Sequence, residues 1–440
     1  MNGLCDVENE TGNMQGIADK QKNVAIFVKR NLCAGCGTCA GVCPRDAISM
    51  QIDGERGIYV PKINELCDNC ALCVKACPGY HVDFLRLNEE IFGSVQDDIQ
   101  LGNWINCYAG YSTQNDVRYA AASGGLITAL LLYAVDKGII DGALVTRMKK
   151  DKPLEPEPFI ARTREEILSA IGSIYCPVPA NIALKQIINA GEGERFAVVG
   201  LPCHIQGIRK WEKANPPFKD RIVFHLGIFC SHCDTFKSTD YLVKKYKVSK
   251  TAISSVSYRG TGWPGYLKFR LKDKTEKKVY FNEYINYHVL RFFLPRFCLF
   301  CCDAACQLSD LTFMDAWLPE IKAQDKTGTS FMISRSTRGQ ELVEAALKEG
   351  VIALQTIDRD SIIRSQGNMQ YPPVDSKIMR NLFKVLGKKI PLYKTLGEKG
   401  KLKNYIRVLI VLFNYLIGAK LGSVSLIDTL IKIERKFFKG

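Results

Sequence analysis

The chain has 440 residues, 47% hydrophobic and 24% charged, an ordinary balance for a soluble globular protein and enough for about three domains at ~150 residues each. It holds 18 cysteines, yet its opening residues are polar and lack the apolar stretch of a signal peptide, which argues against a secreted disulfide framework. The net charge of +15 is local: residues 377–440 carry fifteen Lys and Arg against three acids, so there is no protein-wide basic groove, and no nucleic-acid motif or partner is read.

Residues 1–22 read as a flexible polar leader and Val24–Val28 as a short strand. Over residues 31–79, NLCAGCGTCAGVCPRDAI is echoed by ELCDNCALCVKACPGY. Each copy contains the run Cys-x2-Cys-x2-Cys-x3-Cys-Pro that holds 4Fe–4S clusters in bacterial two-cluster ferredoxins. Three thiolates at such intervals wrap one face of a cubane, and the fourth reaches across to the other cluster. The predicted sets are Cys33, Cys36, Cys39 and Cys77 for one cluster, and Cys67, Cys70, Cys73 and Cys43 for its partner. Zinc is the competing metal, but it usually draws four thiolates from two separated C-x2-C knuckles. Gly35 and Gly37 let the backbone approach the inorganic sulfides. Residues 23–92 are therefore expected to form an α+β two-cluster ferredoxin-type domain.

From about Ile105 short apolar strands alternate with helices of ten or so residues. The helices are read at Leu126–Lys137, Asn181–Ala190, His204–Lys213 and Thr337–Glu349. The strands are read at Ala143–Arg147, Phe196–Val199, Ile222–Phe229, 310–314 and Val351–Thr356. This alternation predicts an α/β domain over 105–370 with a mainly parallel, helix-covered sheet. A second cysteine group, Cys298-x2-Cys301-Cys302-x3-Cys306, lies within it. Cys298, Cys301 and Cys306 are predicted to ligate a third 4Fe–4S cluster. Cys203 is the candidate fourth ligand, because it opens a helix whose dipole favours a thiolate. Cys230 and Cys233 compete for that place, and Cys203 and Cys230 read equally as small buried hydrophobes. Cys302 is expected to point away.

Several segments together resemble the coenzyme F420 hydrogenase/dehydrogenase beta-subunit family. They are YAAASGGLITALLLYAVDKGIIDGALV (119–145), VVGLPCHIQGIRK (198–210), HLGIFCSHC (225–233), YRGTGWPGYLKF (258–269) and CLFCCDAACQLSDLTFMDAW (298–317). The resemblance implies a flavoprotein that binds FAD and a 4Fe–4S cluster and exchanges a hydride with a two-electron partner. It places Ser123, Gly124 and Gly125 against the flavin. On their own these residues offer backbone N–H groups at a helix start, a fit for phosphate or a flavin edge, or a plain N-cap with two flexible residues. Trp263 either meets the flavin or sits in a tight turn. Asp315 falls where the family has Gly-Asp-x-Trp, with Met314 in place of the glycine. Nothing in these residues selects the deazaflavin.

The expected function is an FAD and 4Fe–4S oxidoreductase that links a small hydride donor or acceptor to a ferredoxin or other redox partner protein. The alternative is a non-catalytic electron-transfer subunit docked on a partner enzyme, a setting that for some relatives is polysaccharide assembly. Residues 371–440 read as a basic, apolar helical tail. Its stretch Tyr405–Leu416 is short for a membrane span of ~20 residues, so it either packs on the main domain, the commoner fate, or lies on an anionic membrane surface. The expected location is cytoplasmic, with that peripheral contact at the inner membrane face as the alternative.

Overall fold

The structure, a computed structural model, describes residues 23–367, 372–397, 399–420 and 423–437. The expected leader, Cys5 and the expected boundary at 370–371 lie outside them.

An eight-stranded sheet organises the α/β region. From one edge its order is Ile352–Thr356, Asn106–Ser112, Ser330–Ser334, Leu311–Asp315, Ile222–Ile228, Phe196–Gly200, Gly142–Met148 and Pro156–Ala161. The four strands from Leu311–Asp315 to Gly142–Met148 are parallel. The remaining pairings are antiparallel. The expectation of a mainly parallel sheet is thus met at the centre and corrected at both flanks. At the Gly142–Met148 flank the reason is connection length: the return from Met148 to Pro156 has no room for a crossover helix.

The central strands are apolar runs buried on both faces, as the FAVVG of 196–200 requires. Alternate residues feed two cores. Ala143, Ala197 and Phe313 pack with the helix Leu126–Asp136 on one side. Leu144, Phe196 and Val198 pack with Ile205, Ile208 and Trp211 of the helix Pro202–Ala214 on the other. Pro202 at its first turn, where a missing N–H costs nothing, starts that second helix beside the strand end.

The N-terminal module contains the hairpin Ile48–Asp53 with Ile58–Ile63 and the short helices Thr38–Gly41 and Leu72–Lys75. The strand expected near Val24–Val28 is instead the helix Ala25–Lys29. Asn23 accepts from the Ala25 N–H, and Phe27 stacks on Tyr80 with ring centroids 5.1 Å apart, which holds one helical turn in place. The tail is helical over Pro372–Val385, Leu402–Lys420 and Val424–Phe437. It also contributes the strand Leu392–Lys394, which pairs with His81–Asp83 of the N-terminal module.

Candidate functional site

The eight N-terminal cysteines fall into two sets. The thiols of Cys36, Cys33 and Cys77 bear on Cys39, and those of Cys70, Cys67 and Cys43 bear on Cys73. Cys73 also bears on Cys39, so the two sets adjoin. These are the groupings expected from the repeat. The inner set is sunk in protein, whereas Cys70 of the outer set is exposed. Burial pushes the Cys33 and Cys77 thiols up to about 12 and Cys73 up to about 11. Thiols so disposed become ligands only where a metal displaces the proton. Tetrahedral zinc–thiolate bonds of ~2.3 Å would draw sulfurs to about 3.8 Å from one another. Among the described residues, the only donor group gathered within 4.8 Å is His232, Asp234 and His288, and no set of three cysteines is that tight.

The module is pressed onto the α/β region. Asn181 donates from Nδ2 to Thr38 Oγ1 at 2.8 Å and to the carbonyl of His204 at 2.9 Å. Its N–H reaches the Cys36 carbonyl at 3.0 Å. Thr38 in turn lies 3.2 Å from the Cys36 sulfur.

That contact leads to a third thiol set. Burial raises the Cys203 thiol well above its ordinary value, and the next influences on it are the thiols of Cys36, Cys230, Cys298 and Cys301. Cys203, Cys298 and Cys301 therefore come together as expected. The fourth expected member, Cys306, is set back from Cys203, Cys298 and Cys301, and Cys230 is the one thiol of the group that bears on it. Cys306 is fully buried in the core with Leu308 and Trp211, and its sulfur would lie 2.6 Å from a Cβ placed on Gly227. Burial and then Asp303 and Arg335 dominate its surroundings. Cys230, at the end of the strand Ile222–Ile228, stands in the group instead. The signal for it was its position after a buried strand, which it shares with Cys203. Cys302 is buried in that same core, turned from the group.

Beside Cys230 opens a cavity of about 650 Å³, a size that takes a cofactor or small ligand. Ser123, Gly125 and the first turn of the helix Leu126–Asp136 line one part of it. Ser123 and Gly124 are tied down: the Gly124 N–H donates to Ser330 Oγ at 2.8 Å, which lies 2.6 Å from Ser123 Oγ. Gly124 is thus not an open donor, and Gly125, at φ +76°, carries the turn into the helix. Trp317 and Phe281 form the aromatic wall, stacked at 5.5 Å. Trp263 is buried behind Trp317, with centroids 4.9 Å apart. Its Nε1 donates to Asp315 Oδ1 at 3.0 Å, and Arg259 grips the same carboxylate at 2.7 and 2.8 Å. Trp263 and Asp315 therefore brace the wall. Residue spacing does not single out the polar end from the chain's five histidines: His288 Nδ1 lies 2.8 Å from Asp234 Oδ2, and the His232 ring stacks on His288 at 4.0 Å. Burial, and then His288, lower His232 to about 3 and keep it neutral.

Thiol sets running from a cavity to the surface define an iron–sulfur oxidoreductase. Residues 32–89 match the model of the 4Fe–4S dicluster domain. The chain belongs to the coenzyme F420 hydrogenase/dehydrogenase beta-subunit family, whose N-terminal model matches residues 107–185 and whose C-terminal model matches 193–360, together more than half the chain. It is 27% identical over 269 residues to the coenzyme F420 hydrogenase subunit beta of Methanosarcina barkeri, covering 60% of this chain and 85% of that protein. It is 26% identical over 350 residues to the coenzyme F420-dependent sulfite reductase of Methanocaldococcus jannaschii, covering 74% of this chain and 48% of that one. A solved chain of the F420-reducing [NiFe] hydrogenase complex from Methanosarcina barkeri shares the fold, with a TM-score of 0.53 at 24% identity over 68% of this chain and 98% of that chain.

Proposed function

We propose that the protein exchanges a hydride with a small two-electron partner in the cavity and passes the electrons singly, through three 4Fe–4S clusters, to a carrier protein at the N-terminal module. One observation carries this reading: the thiol sets form an unbroken series. Cys230 lines the cavity and bears on Cys203, Cys36 bears on Cys203, Cys73 bears on Cys39, and Cys70 is exposed. The third cluster is assigned to Cys203, Cys230, Cys298 and Cys301.

FAD is the cofactor that the cavity fits, by its size, its aromatic wall and the helix start at Gly125. When bound, a flavin supplies hydride transfer on one side and single-electron transfer on the other. The chain's own residues do the rest. Trp317 and Phe281 offer a flat wall, Arg259 and Asp315 hold that wall rigid, and Gly125 with Leu126 presents the helix start to polar groups. His288 and Asp234 stand at the cavity's polar end, where a proton accompanying the hydride is held at His288 Nδ1 or the Asp234 carboxylate.

Relatives are named as hydrogenase and dehydrogenase subunits, which supports a partner protein for this chain as well. Anaerobic purification with iron, sulfide and flavin quantified together tests the reading, followed by a screen of hydride donors that includes a deazaflavin of the F420 type. About twelve irons per chain, one flavin and cluster bleaching by a donor are expected. Zinc without acid-labile sulfide, or clusters without flavin that no donor reduces, would overturn it.

A further inference from the structure

We propose that the helix Leu402–Lys420 seats the protein on an anionic lipid surface, lying along it and not through it. One face of this helix is fixed to the body. Arg407 pairs with Asp375 through Nε at 2.5 Å, Asn404 Nδ2 reaches Asp375 at 3.2 Å, and Asn414 donates to the Leu290 carbonyl at 2.9 Å. At Gly418 even a Cβ would meet the Phe292 carbonyl oxygen at 1.6 Å. The buried Val408 and the half-buried Val411 and Leu412 join the core that also holds Cys73. A helix so fastened cannot cross a bilayer.

Its opposite face is apolar and open. Leu402, Tyr405, Ile406, Leu409, Phe413 and Leu416 are between 43% and 76% exposed. At 3.6 residues per turn these positions fall within an arc of about 100°. They make a single continuous stripe, where scattered surface hydrophobics would need no explanation. Val385 at the end of the preceding helix is 85% exposed and adds to the apolar surface of the tail.

Charge identifies the occupant. The exposed Lys399, Lys401 and Lys403 sit at the start of the stripe, and the tail also exposes Lys384, Lys388, Lys389 and Lys432. No acid is exposed among the described residues of 372–433: Asp375 is buried against Arg407, and Asp428 is bound by Lys245 at 2.7 Å. An apolar stripe edged by lysines is the pattern of helices that lie in the headgroup region of anionic membranes. A second copy of this chain fits poorly, because a two-fold contact would set the same lysines against each other.

The test uses the full-length protein and extruded phosphatidylcholine vesicles, with or without about 30 mol% phosphatidylglycerol. Co-sedimentation with the anionic vesicles is expected, falling as salt rises. The double substitution Leu409→Glu with Phe413→Glu should weaken it by about tenfold or more, as loss of two buried apolar side chains requires. Replacing Lys399, Lys401 and Lys403 by Gln should reduce both the affinity and its salt dependence. Unchanged iron content would show that the variants are folded. The proposal falls if the anionic vesicles bind no protein, or if the double substitution leaves binding unchanged. It falls equally if light scattering finds self-association that the double substitution abolishes while vesicles bind nothing.

Discussion

Lys210 donates from Nζ to the carbonyl of Cys77 at 2.5 Å, from the same helix that begins at the third thiol set. A second bond, to the His81 carbonyl at 2.6 Å, fixes the ammonium beside the inner cysteines. Burial lowers Lys210 to about 8, and the thiols of Cys77 and Cys36 oppose that fall. Four thiolates around iron would oppose it further, so the ammonium stays charged next to the inner cluster.

A fixed positive charge there favours the reduced, more negative cluster. At an effective dielectric of about 20 and a few ångströms' distance the effect is on the order of 100 mV. Lys210→Met should therefore lower that cluster's potential by roughly this amount, while Lys210→Arg should keep most of it. Redox titration followed by electron paramagnetic resonance would measure the shift. Equal potentials in wild type and Lys210→Met would show that the lysine serves packing alone.

Cys230 and Cys306 make opposite predictions. Cys230→Ser should remove or degrade one cluster, leaving about eight to eleven irons per chain and intact resonances from the N-terminal pair. Cys306→Ser should retain the full complement and cost only stability, because that thiol fills core space. Iron analysis of the two purified variants decides the matter. Loss of the third cluster from Cys306→Ser alone would reverse the ligand assignment.

The N-terminal pair was legible because its spacing is itself the chemistry: two turns of three thiolates and a crossing fourth. The third set was legible in three of its four members. Cys298 and Cys301 lie close in sequence and Cys203 is marked by its helix start, but Cys230, read there as a competitor, joins them because the parallel strands Phe196–Gly200 and Ile222–Ile228 end side by side. That adjacency comes from sheet topology, which residue spacing does not encode, and so Cys306 won on proximity alone. The docking of the module was equally hidden. A Cβ on Gly41 would meet the Asn181 carbonyl oxygen at 1.9 Å, and one on Gly207 would meet Thr38 Oγ1 at 2.2 Å. Nothing in the spacing around either glycine marks it out. They are there so that two surfaces, each carrying cysteines, can close.

Asp315→Asn tests the brace behind the aromatic wall. The substitution removes the charge that Arg259 grips, and Arg259 is buried with nowhere to hydrate. The wall should loosen, and flavin retained through gel filtration should fall by about tenfold or more, in line with breaking a buried charged pair. Iron content should stay the same. Undiminished flavin with an altered iron count would place the role of Asp315 at the clusters.

Asp310 is the anchor on the far side of the sheet. It accepts from the His225 N–H at 2.8 Å, Ser336 Oγ at 2.7 Å and Arg338 Nε at 2.9 Å, with Arg209 at 3.4 Å. Burial would raise this carboxyl, but Arg209, His225 and Arg338 outweigh it and hold it well below its ordinary value. An acid depressed in the folded state contributes stability that is complete above its unfolded pKa of about 3.9 and is lost as pH falls towards the folded value. At pH 7, Asp310→Asn should therefore cost about 3 kcal/mol, since it leaves the buried Arg209 guanidinium with Glu212 as its one carboxylate and takes the carboxylate from the part-exposed Arg338. The difference in Tm between wild type and variant should be largest at neutral pH and narrow as pH drops below about 4. A gap that widened on acidification would mean that the carboxyl is protonated in the folded protein, and the electrostatic account of this anchor would fail.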